Sequence, residues 1–457
     1  MASGIAPHNL AALMEAQLTA RQLGLLREVG RVAQELGLSA YLVGGPVRDL
    51  LLGRPSDDCD LVVAGEGLRF AEALAAQLDL KYAVHERFLT AVMQLPGGGE
   101  LDVATARREK YEFPGALPVV EPASLDEDLG RRDFSINALA VALDEQDFGQ
   151  LCDPCGGYAD LQESLVRVLH DGSFRDDPTR IVRAVGFEVK LGFRLELHTE
   201  SLLKEAVTQG ALTQISPERC REVLLPLLAT VINADIATAT PLPQGEGSGV
   251  RQPHNTAVAI IVRLGELGVL AALGLGEVVS IAQQSVLQQA PAALTVLAAD
   301  ERGITSALVY LSLLAYWAGT DASRVAARIH LTGDEQKAMD NAIRYLRQPP
   351  AVLSGPQISP SELYFALEGL SIVSAAALWT VQQNPPARSR IEEFWHHLRT
   401  VTPDIDGDDL IAAGAQPGPQ FATALREALR VKLDEPEATA RQQLAAALAH
   451  LARAAEM

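Results

Sequence analysis

Two aspartates in front of an apolar strand have the spacing of a metal-binding pair. Asp58 and Asp60 belong to the stretch RPSDDCDLVV, residues 54–63, in which the apolar run from Leu61 to Val63 predicts a β-strand. Side chains two apart in a strand lie on the same face, so we expect both carboxylates to point the same way. Carboxylates this close repel each other, and a divalent cation between them relieves the repulsion. The alternative is a solvated acidic turn.

A third carboxylate and a glycine pair would extend such a site. Asp102 falls within the apolar strand LDVATA, where an unpaired buried charge is costly, so we expect it to serve a metal or a partner. Gly44 and Gly45 end a predicted strand and open a helix, whose N-terminal N–H groups attract anions. Arg48, one turn further, would reach the same anion unless it only pairs with Asp49. Three carboxylates beside a phosphate cradle predict a two-metal site for phosphoryl transfer.

The composition is that of an ordinary globular chain. Its 457 residues are 48% hydrophobic, which is enough for several domains with a sizeable core. We find no apolar run of membrane-spanning length and no secretion signal at the N-terminus, so we expect no membrane partner and a cytoplasmic location. Four cysteines are too few for a disulfide framework, and the pair in CDPC, residues 152–155, is expected to be two buried thiols rather than a zinc or redox site.

The charge distribution limits how nucleic acid could bind. A net charge of −20 argues against a generic nucleic-acid coat protein, because neutralising phosphates needs clustered Lys and Arg. Arginines nevertheless gather between residues 107 and 183, whereas acidic residues crowd the C-terminal part. Any nucleic acid is therefore expected to bind on one face only.

Strand and helix patterns alternate over the first third of the chain, and the remainder is almost wholly helical. The segment TPLPQGEGSGVRQPHN has the composition of a flexible connection. We therefore expect an N-terminal helical extension (1–29), a mixed α/β head (30–150), a helical neck (151–235), a flexible linker or loop (236–256) and a helical body and tail (257–457).

Three long motifs in a fixed order resemble one known family. They are LVGGPVRDLLLGRPSDDCDLVV, DEDLGRRDFSINALA at 126–140 and FRDDPTRIVRAV at 174–185. Together they are similar to the CCA-adding tRNA nucleotidyltransferases and bacterial poly(A) polymerases, a branch of the polymerase-β-like superfamily. The resemblance implies an α+β fold, in which a small mixed-sheet nucleotidyltransferase head is followed by an all-α neck, body and tail.

The resemblance also implies roles for individual residues. Asp58, Asp60 and Asp102 match the catalytic carboxylates, which hold two Mg2+ ions. The positions that match nucleotide-binding residues are Gly44, Gly45, Arg48, Arg131, Arg132, Asp133, Asn137, Asp176, Asp177, Arg180 and Arg183. For Asp133 and Asn137, helix capping is an alternative that is compatible with ligand binding.

The stretch DDPTR predicts a base-reading pair. Asp177 and Arg180 are three residues apart, and on a helix they would present an acceptor beside a donor on one face. Cytosine and adenine offer a ring-nitrogen acceptor next to an amine donor, so this pair would accept C and A and reject U and G. In the family the matching positions do this, with Asp176 orienting the arginine. An ordinary surface salt bridge is the alternative.

The implied activity is addition of C, A or both from CTP and ATP to the 3′ end of tRNA. Enzymes restricted to CC or to the terminal A, and poly(A) polymerases, share this chemistry and stay open. A small-molecule nucleotidyltransferase and a non-catalytic RNA-binding protein are less favoured alternatives, and the oligomeric state is undetermined. Two departures stand out: Gly186 replaces a frequent arginine, so a phosphate or backbone contact is expected to be missing, and residues 106–125 match the family's flexible loop only loosely.

Overall fold

The computed structural model describes residues 8–455 except 111, 113–114, 116, 230–255, 298–302 and 356–357. The chain divides into two compact units. Unit 1 comprises Met1–Leu227 and Ile232–Ala272, and unit 2 comprises Leu228–Val231 and Leu273–Met457. The predicted linker, residues 236–256, lies outside the described residues except for its last one.

A seven-stranded mixed sheet forms the centre of unit 1, with the strand order β3-β4-β5-β2-β1-β8-β9. Its pairs are antiparallel except for β2 and β5, which are parallel. Two small two-stranded ladders, β6-β7 and β10-β11, lie outside it. The strands are β1 (Ser39–Val43), β2 (Asp60–Ala64), β3 (Tyr82–His85), β4 (Thr90–Gln94), β5 (Glu100–Thr105), β6 (Arg107–Lys110), β7 (Val119–Pro122), β8 (Ala140–Ala142), β9 (Leu151–Cys152), β10 (Leu165–Val166) and β11 (Arg194–Leu195).

The first helices of unit 1 pack on this sheet, and the later ones form a helical segment. The helices are α1 (Ala11–Gln17), α2 (Ala20–Glu35), α3 (Gly45–Leu51), α4 (Gly67–Leu78), α5 (Leu125–Gly130), α6 (Gly157–Glu163), α7 (Ser173–Asp176), α8 (Thr179–Leu191), α9 (Leu197–Thr208), α10 (Pro217–Leu228), α11 (Thr256–Glu266) and α12 (Val269–Ala272). Helix α2 begins at a capping box in which Thr19 and Gln22 exchange hydrogen bonds. It packs on β1, and α4 packs on β2, β4 and β5. Buried Phe70 and Leu74 of α4 cover this side of the sheet.

Unit 2 is helical throughout its described residues. Its helices are α13 (Ile281–Leu287), α14 (Ala290–Leu297), α15 (Ile304–Ala318), α16 (Ala322–Ile329), α17 (Gly333–Arg347), α18 (Pro360–Leu367), α19 (Ile372–Val381), α20 (Pro385–Glu393), α21 (Gly407–Ala412), α22 (Gln420–Asp434) and α23 (Ala440–Ala455). The apolar α15 is buried against α17 and α19, and α22 packs along α23. The expected α+β class is confirmed: a mixed-sheet region precedes a helical region.

Within the described ranges, no single helix is long and apolar enough to cross a membrane. The pair α18 and α19 meets the length and hydropathy criteria only jointly, but it is bent by 112° and most of α19 is buried inside unit 2.

The two cysteines of CDPC pack against an apolar cluster that includes Val43 and Leu129. Both thiols are free and half-buried, and burial raises the pKa of each. The expected burial of both thiols is therefore only partial, and their role stays a prediction.

Candidate active site

Two of the three predicted catalytic carboxylates stand on neighbouring strands. Asp60 opens β2, and its register partner on the parallel strand β5 is Asp102. Asp58 lies two residues before β2, in the loop that follows α3, so the expectation that Asp58 and Asp60 share one face of a strand is wrong. Burial, Asp102 and Asp58 together raise the pKa of Asp60 to about 6. The mutual repulsion that the sequence predicts is therefore present at Asp60.

The environment of Asp102 differs from the expected one. The side chain is exposed rather than buried, because Leu101 and Val103 take the inward positions of β5 and Asp102 takes the alternate one. Partial burial, followed by the charges of Glu100 and Asp58, raises its pKa. The argument that Asp102 is a buried charge in need of a partner is therefore wrong.

The donor set of these carboxylates suits a hard divalent cation such as Mg2+. Within the described part of the chain, however, no three His, Cys, Asp or Glu side chains converge closely enough to hold a metal ion. Asp58 instead lines a separate cavity of about 460 Å³, together with Asp57 and Cys59. The side chains of Asp58 and Asp102 are both exposed.

Both the backbone conformation and a neighbouring side chain require glycine at position 44. Gly44 has φ 74° and ψ −128°, a conformation that side-chain-bearing residues rarely adopt. A Cβ atom on Gly44 would also lie 2.8 Å from Nη1 of Arg132. Gly45 then begins α3, with Pro46 in its first turn. The turn brings backbone N–H groups and an arginine to the same place.

Arg48 does not project freely from α3. Its Nε and Nη2 donate to Asp49, and its Nη1 donates to Oδ1 of Asn137 at 2.7 Å. Its guanidinium also lies 5.3 Å from the ring centroid of Phe187, and that of Arg183 lies 5.6 Å from the same ring. The ion pair with Asp49 therefore exists, but the arginine also faces the cleft.

Asp133 connects this turn to helix α8. Its Oδ1 accepts from Phe134 N–H and from Asn137 Nδ2, and its Oδ2 accepts from Arg183 Nε at 3.0 Å. Burial alone would raise the pKa of Asp133, but the charge of Arg183 and the hydrogen bonds from Asn137 and Arg183 outweigh burial and lower it. The pair Asp133 and Asn137 thus links Arg48 to Arg183 and does not cap a helix.

A fully buried carboxylate holds the two consecutive arginines of RRDF. Asp128 accepts from Arg131 Nε at 3.0 Å through Oδ1 and from Arg132 Nη2 at 3.1 Å through Oδ2. Arg131 pairs in addition with Glu109 on β6. The Nε atom of Arg132 is buried and has no hydrogen-bond partner among the described residues, and it is Nη1 of this arginine that lies beside Gly44.

The predicted helix does not contain both base-reading residues. Asp177 has φ −132° and ψ 94° and lies between α7 and α8, because a residue that precedes a proline, here Pro178, is disfavoured in the α region. Its carboxylate accepts from Thr179 and pairs with Arg219, not with Arg180. The expected placement on one helical face is therefore wrong.

Arg180 is 5% exposed and is held from two sides. Its Nη1 donates to Ser173 Oγ at 2.6 Å, and its Nη2 donates to the carbonyl of Arg131 at 2.8 Å. The expected contact with the Asp176 carboxylate is not among its described hydrogen bonds. Asp176 instead accepts from Gly115 N–H through its main-chain carbonyl.

Most of the predicted residues line one cleft of about 520 Å³. These are Gly44, Gly45, Arg48, Asp60, Arg131, Arg132, Asp133, Asn137, Asp177, Arg180 and Arg183. Asp58, Asp102 and Asp176 do not line it. The cleft also contains residues that sequence reasoning missed, namely Glu109, Thr179, Phe187, Arg219, Glu222 and Val223. Thr179 lies inside the quoted DDPTR motif, but the others carry no local signal.

Gly186 faces the side chain of Leu227. It is buried in α8, and a Cβ atom there would lie 2.9 Å from Cδ2 of Leu227. An arginine at this position would therefore begin by pointing into packed side chains, and the expectation that the glycine removes a phosphate contact is not supported.

Comparison with known proteins agrees with this geometry. Residues 40–167 match the poly(A) polymerase head domain. The chain is 30% identical to a solved CCA-adding enzyme in an apo form, with a TM-score of 0.80 and coverage of 96% of this chain and 98% of that one. The chain belongs to the tRNA nucleotidyltransferase and poly(A) polymerase family.

Two further family members are informative. The A-adding tRNA nucleotidyltransferase of Geobacter sulfurreducens is 35% identical over 441 residues, which are 93% of this chain and 47% of that protein. The CCA-adding enzyme of Thermotoga maritima, solved with tRNA, is 28% identical with a TM-score of 0.73, and the match covers 97% of this chain and 98% of that one. The chain spans about half the length of the curated relatives it matches most fully.

Proposed function

We propose that the protein adds C, A or both from CTP and ATP to the 3′ end of tRNA without a nucleic-acid template. One observation carries the proposal: a single cleft contains the carboxylate Asp60, the glycine turn at Gly44 and the pair Asp177 and Arg180. The carboxylate and the glycine turn are suited to binding a triphosphate, and the pair is suited to binding the edge of a base. Membership of the family supports the same chemistry.

The carboxylates of Asp58, Asp60 and Asp102 would hold Mg2+, which when bound would activate the terminal RNA hydroxyl and neutralise the triphosphate. Their oxygen-only donor set and the raised pKa of Asp60 support this assignment. The residues that line the cleft would position the triphosphate. The Nη1 atom of Arg132, which lies beside Gly44, and the N–H groups after Gly44 would bind phosphate oxygens.

The base would be read by Asp177 and Arg180. Asp177 Oδ1 is already saturated by Thr179 and Arg219, and Oδ2 accepts no hydrogen bond from the described residues. Oδ2 would accept from the exocyclic amine of cytosine or adenine. The guanidinium of Arg180, fixed by Ser173 and the Arg131 carbonyl, would donate to the adjacent ring nitrogen.

A-addition alone is the favoured narrower candidate, because the Geobacter relative, which covers 93% of this chain, is an A-adding enzyme. We assign the sheet region at 30–150 to the catalytic head, residues 151–235 to the neck and residues 257–457 to an RNA-binding body and tail. The tRNA-bound Thermotoga relative supports a tRNA partner, and we place the protein in the cytoplasm.

Incubation with three tRNA transcripts tests the proposal. The transcripts end before CC, after CC and after CCA, and each is offered every nucleoside triphosphate separately with Mg2+. We expect incorporation of A, C or both, and not of U or G. A-addition only to the transcript that ends in CC would identify an A-adding enzyme, whereas repeated A-addition would identify a poly(A) polymerase. No incorporation on any transcript would contradict the proposed function.

A further inference from the structure

We propose that Arg219 is a specificity-determining positioning residue, which fixes the carboxylate of Asp177 so that one oxygen faces the incoming base. The inference rests on the proposed function and extends it to helix α10, which lies outside the three motifs. Arg219 lines the same cleft as Asp177 and Arg180.

The backbone at Asp177 does not orient this carboxylate. The residue lies between α7 and α8 with extended dihedral angles, so its side chain is not held by a helical turn. An aspartate in such a position keeps two side-chain torsions and can present either oxygen to a ligand. A carboxylate that selects a base needs one orientation, and contacts from elsewhere must impose it.

Three donors impose that orientation, and all of them use the same oxygen. Oδ1 of Asp177 accepts from Thr179 N at 3.0 Å, from Thr179 Oγ1 at 2.6 Å and from Arg219 Nη2 at 2.8 Å. No described donor contacts Oδ2. Thr179 is a local neighbour, whereas Arg219 is the charged partner, and a charge-assisted bond is stronger than a neutral one.

Arg219 reaches a second acceptor, which restricts its own position. Its Nη1 donates to the carbonyl of Gly115 at 3.0 Å, and Gly115 N–H donates to the carbonyl of Asp176 at 3.2 Å. The guanidinium therefore spans two fixed points, and its geometry demands the planar fork of arginine. The side chains of Arg219 and Asp177 are 19% and 17% exposed, so solvent screens the pair only in part.

The experiment compares Arg219→Ala and Arg219→Lys with the parent for incorporation of all four nucleotides into tRNA. We expect Arg219→Ala to reduce discrimination against U and G by roughly tenfold, in line with loss of one base-edge contact. We expect KM for the preferred nucleotide to rise more than kcat falls. Arg219→Lys keeps the charge but reaches only one of the two acceptors, so its discrimination should be intermediate.

Arg263→Ala is the matched control. Arg263 is 21% exposed, pairs with Glu188 and Glu200, and lies outside the cleft. Arg263→Ala should lower the free energy of unfolding about as much as Arg219→Ala does, without changing which nucleotides are incorporated. If Arg219→Ala does not fold, Arg219→Lys still tests the proposal, because parent-like discrimination in a folded lysine variant would overturn it.

A double-mutant cycle separates action through Asp177 from a general effect. In an Asp177→Ala background, Arg219→Ala should cause no further loss of discrimination. A full additional loss, or parent-like discrimination in Arg219→Ala alone, would overturn the inference. Failure of the parent to incorporate any nucleotide would instead contradict the proposed function, so the two failures are distinguishable.

Discussion

Asp60 and Asp102 stand directly opposite each other on the two parallel strands of the sheet. The strand register keeps these two aspartates as neighbours across the parallel pair. Together with burial and Asp58, this arrangement raises the pKa of Asp60 to about 6. The fold therefore stores an electrostatic strain at this position when no cation is present.

Replacing Asp60 should relieve that strain. The pKa of Asp60 rises from 3.8 in the unfolded chain to about 6, so the stability contributed by its protonated form is complete below the lower value and is lost as the pH rises through the higher one. Asp60→Asn stays neutral, and in chelator its free energy of unfolding at neutral pH should exceed that of the parent by at most about 3 kcal/mol. The difference should vanish in acid. Denaturant titration across pH measures it.

Added Mg2+ provides the check on this first prediction. Because Mg2+ is proposed to bind the charged carboxylates, it should stabilise the parent more than Asp60→Asn and narrow the gap between them. Equal stabilisation of both proteins by Mg2+ would contradict a cation site at Asp60.

Activity should depend on the carboxylates much more than stability does. We expect Asp58→Ala and Asp60→Ala each to lower nucleotide incorporation by several orders of magnitude while the fold persists, because mutually repulsive acids rarely stabilise a fold. Asp57→Ala, next to Asp58, is the control and should keep most activity. Turnover at the parent rate in either of the first two variants would exclude the proposed metal site.

Base choice should depend on the DDPTR residues. Asp177→Ala removes the acceptor for the amine, and Arg180→Ala removes the donor to the ring nitrogen, so each should cost about 1–3 kcal/mol of discrimination against U and G. Arg180 is buried, so its variant should also lose stability, and Arg180→Lys offers a milder test. Steady-state incorporation of the four nucleotides measures the effect. Unchanged preferences in all three variants would place base selection elsewhere.

The buried link between Arg48 and Arg183 should contribute to stability. Asp133→Asn keeps the shape but removes the charge that holds Arg183, so we expect a loss of about 1–3 kcal/mol, the usual worth of a charged hydrogen bond. The lowered pKa of Asp133 implies that this contribution is present above the unfolded pKa and is lost as the pH falls through the folded one. Asp171→Asn, which breaks an exposed pair with His198, should change stability by at most about 1 kcal/mol.

Gly186 offers a test of packing. Gly186→Arg should destabilise the protein by about 1–3 kcal/mol, because its Cβ atom would crowd Leu227 in the neighbouring helix. Combining it with Leu227→Ala should recover part of the loss. Thermal unfolding of the single and double variants decides this, and an increase in activity in Gly186→Arg would show that the side chain does reach the cleft.

The sequence predicts correctly those residues of the cleft that belong to contiguous motifs. Gly44, Asp60, Asp133 and Arg180 belong to such motifs, and the apolar run of β2 and the alternating pattern of β5 place the strands correctly. The exposed position of Asp102 follows from the same alternation.

The other features of the cleft follow from tertiary packing, except for the position of Asp177, which follows from a local rule. Phe187 and Arg219 sit on amphipathic helices whose patterns look like ordinary core packing, so only the fold brings them to the cleft. Asp177 is different, because the proline after it already predicts a break in the helix. The dipeptide Asp177–Pro178 is therefore a local signal that the aspartate lies outside a helix.

Five of the six arginines that line the cleft are paired with carboxylates. Arg131 and Arg132 share Asp128, Arg48 pairs with Asp49, Arg183 with Asp133 and Arg219 with Asp177. An anionic ligand that binds these guanidiniums would therefore have to compete with the carboxylates. The same pairing lets a strongly acidic protein keep these five arginines close together without mutual repulsion dominating the fold.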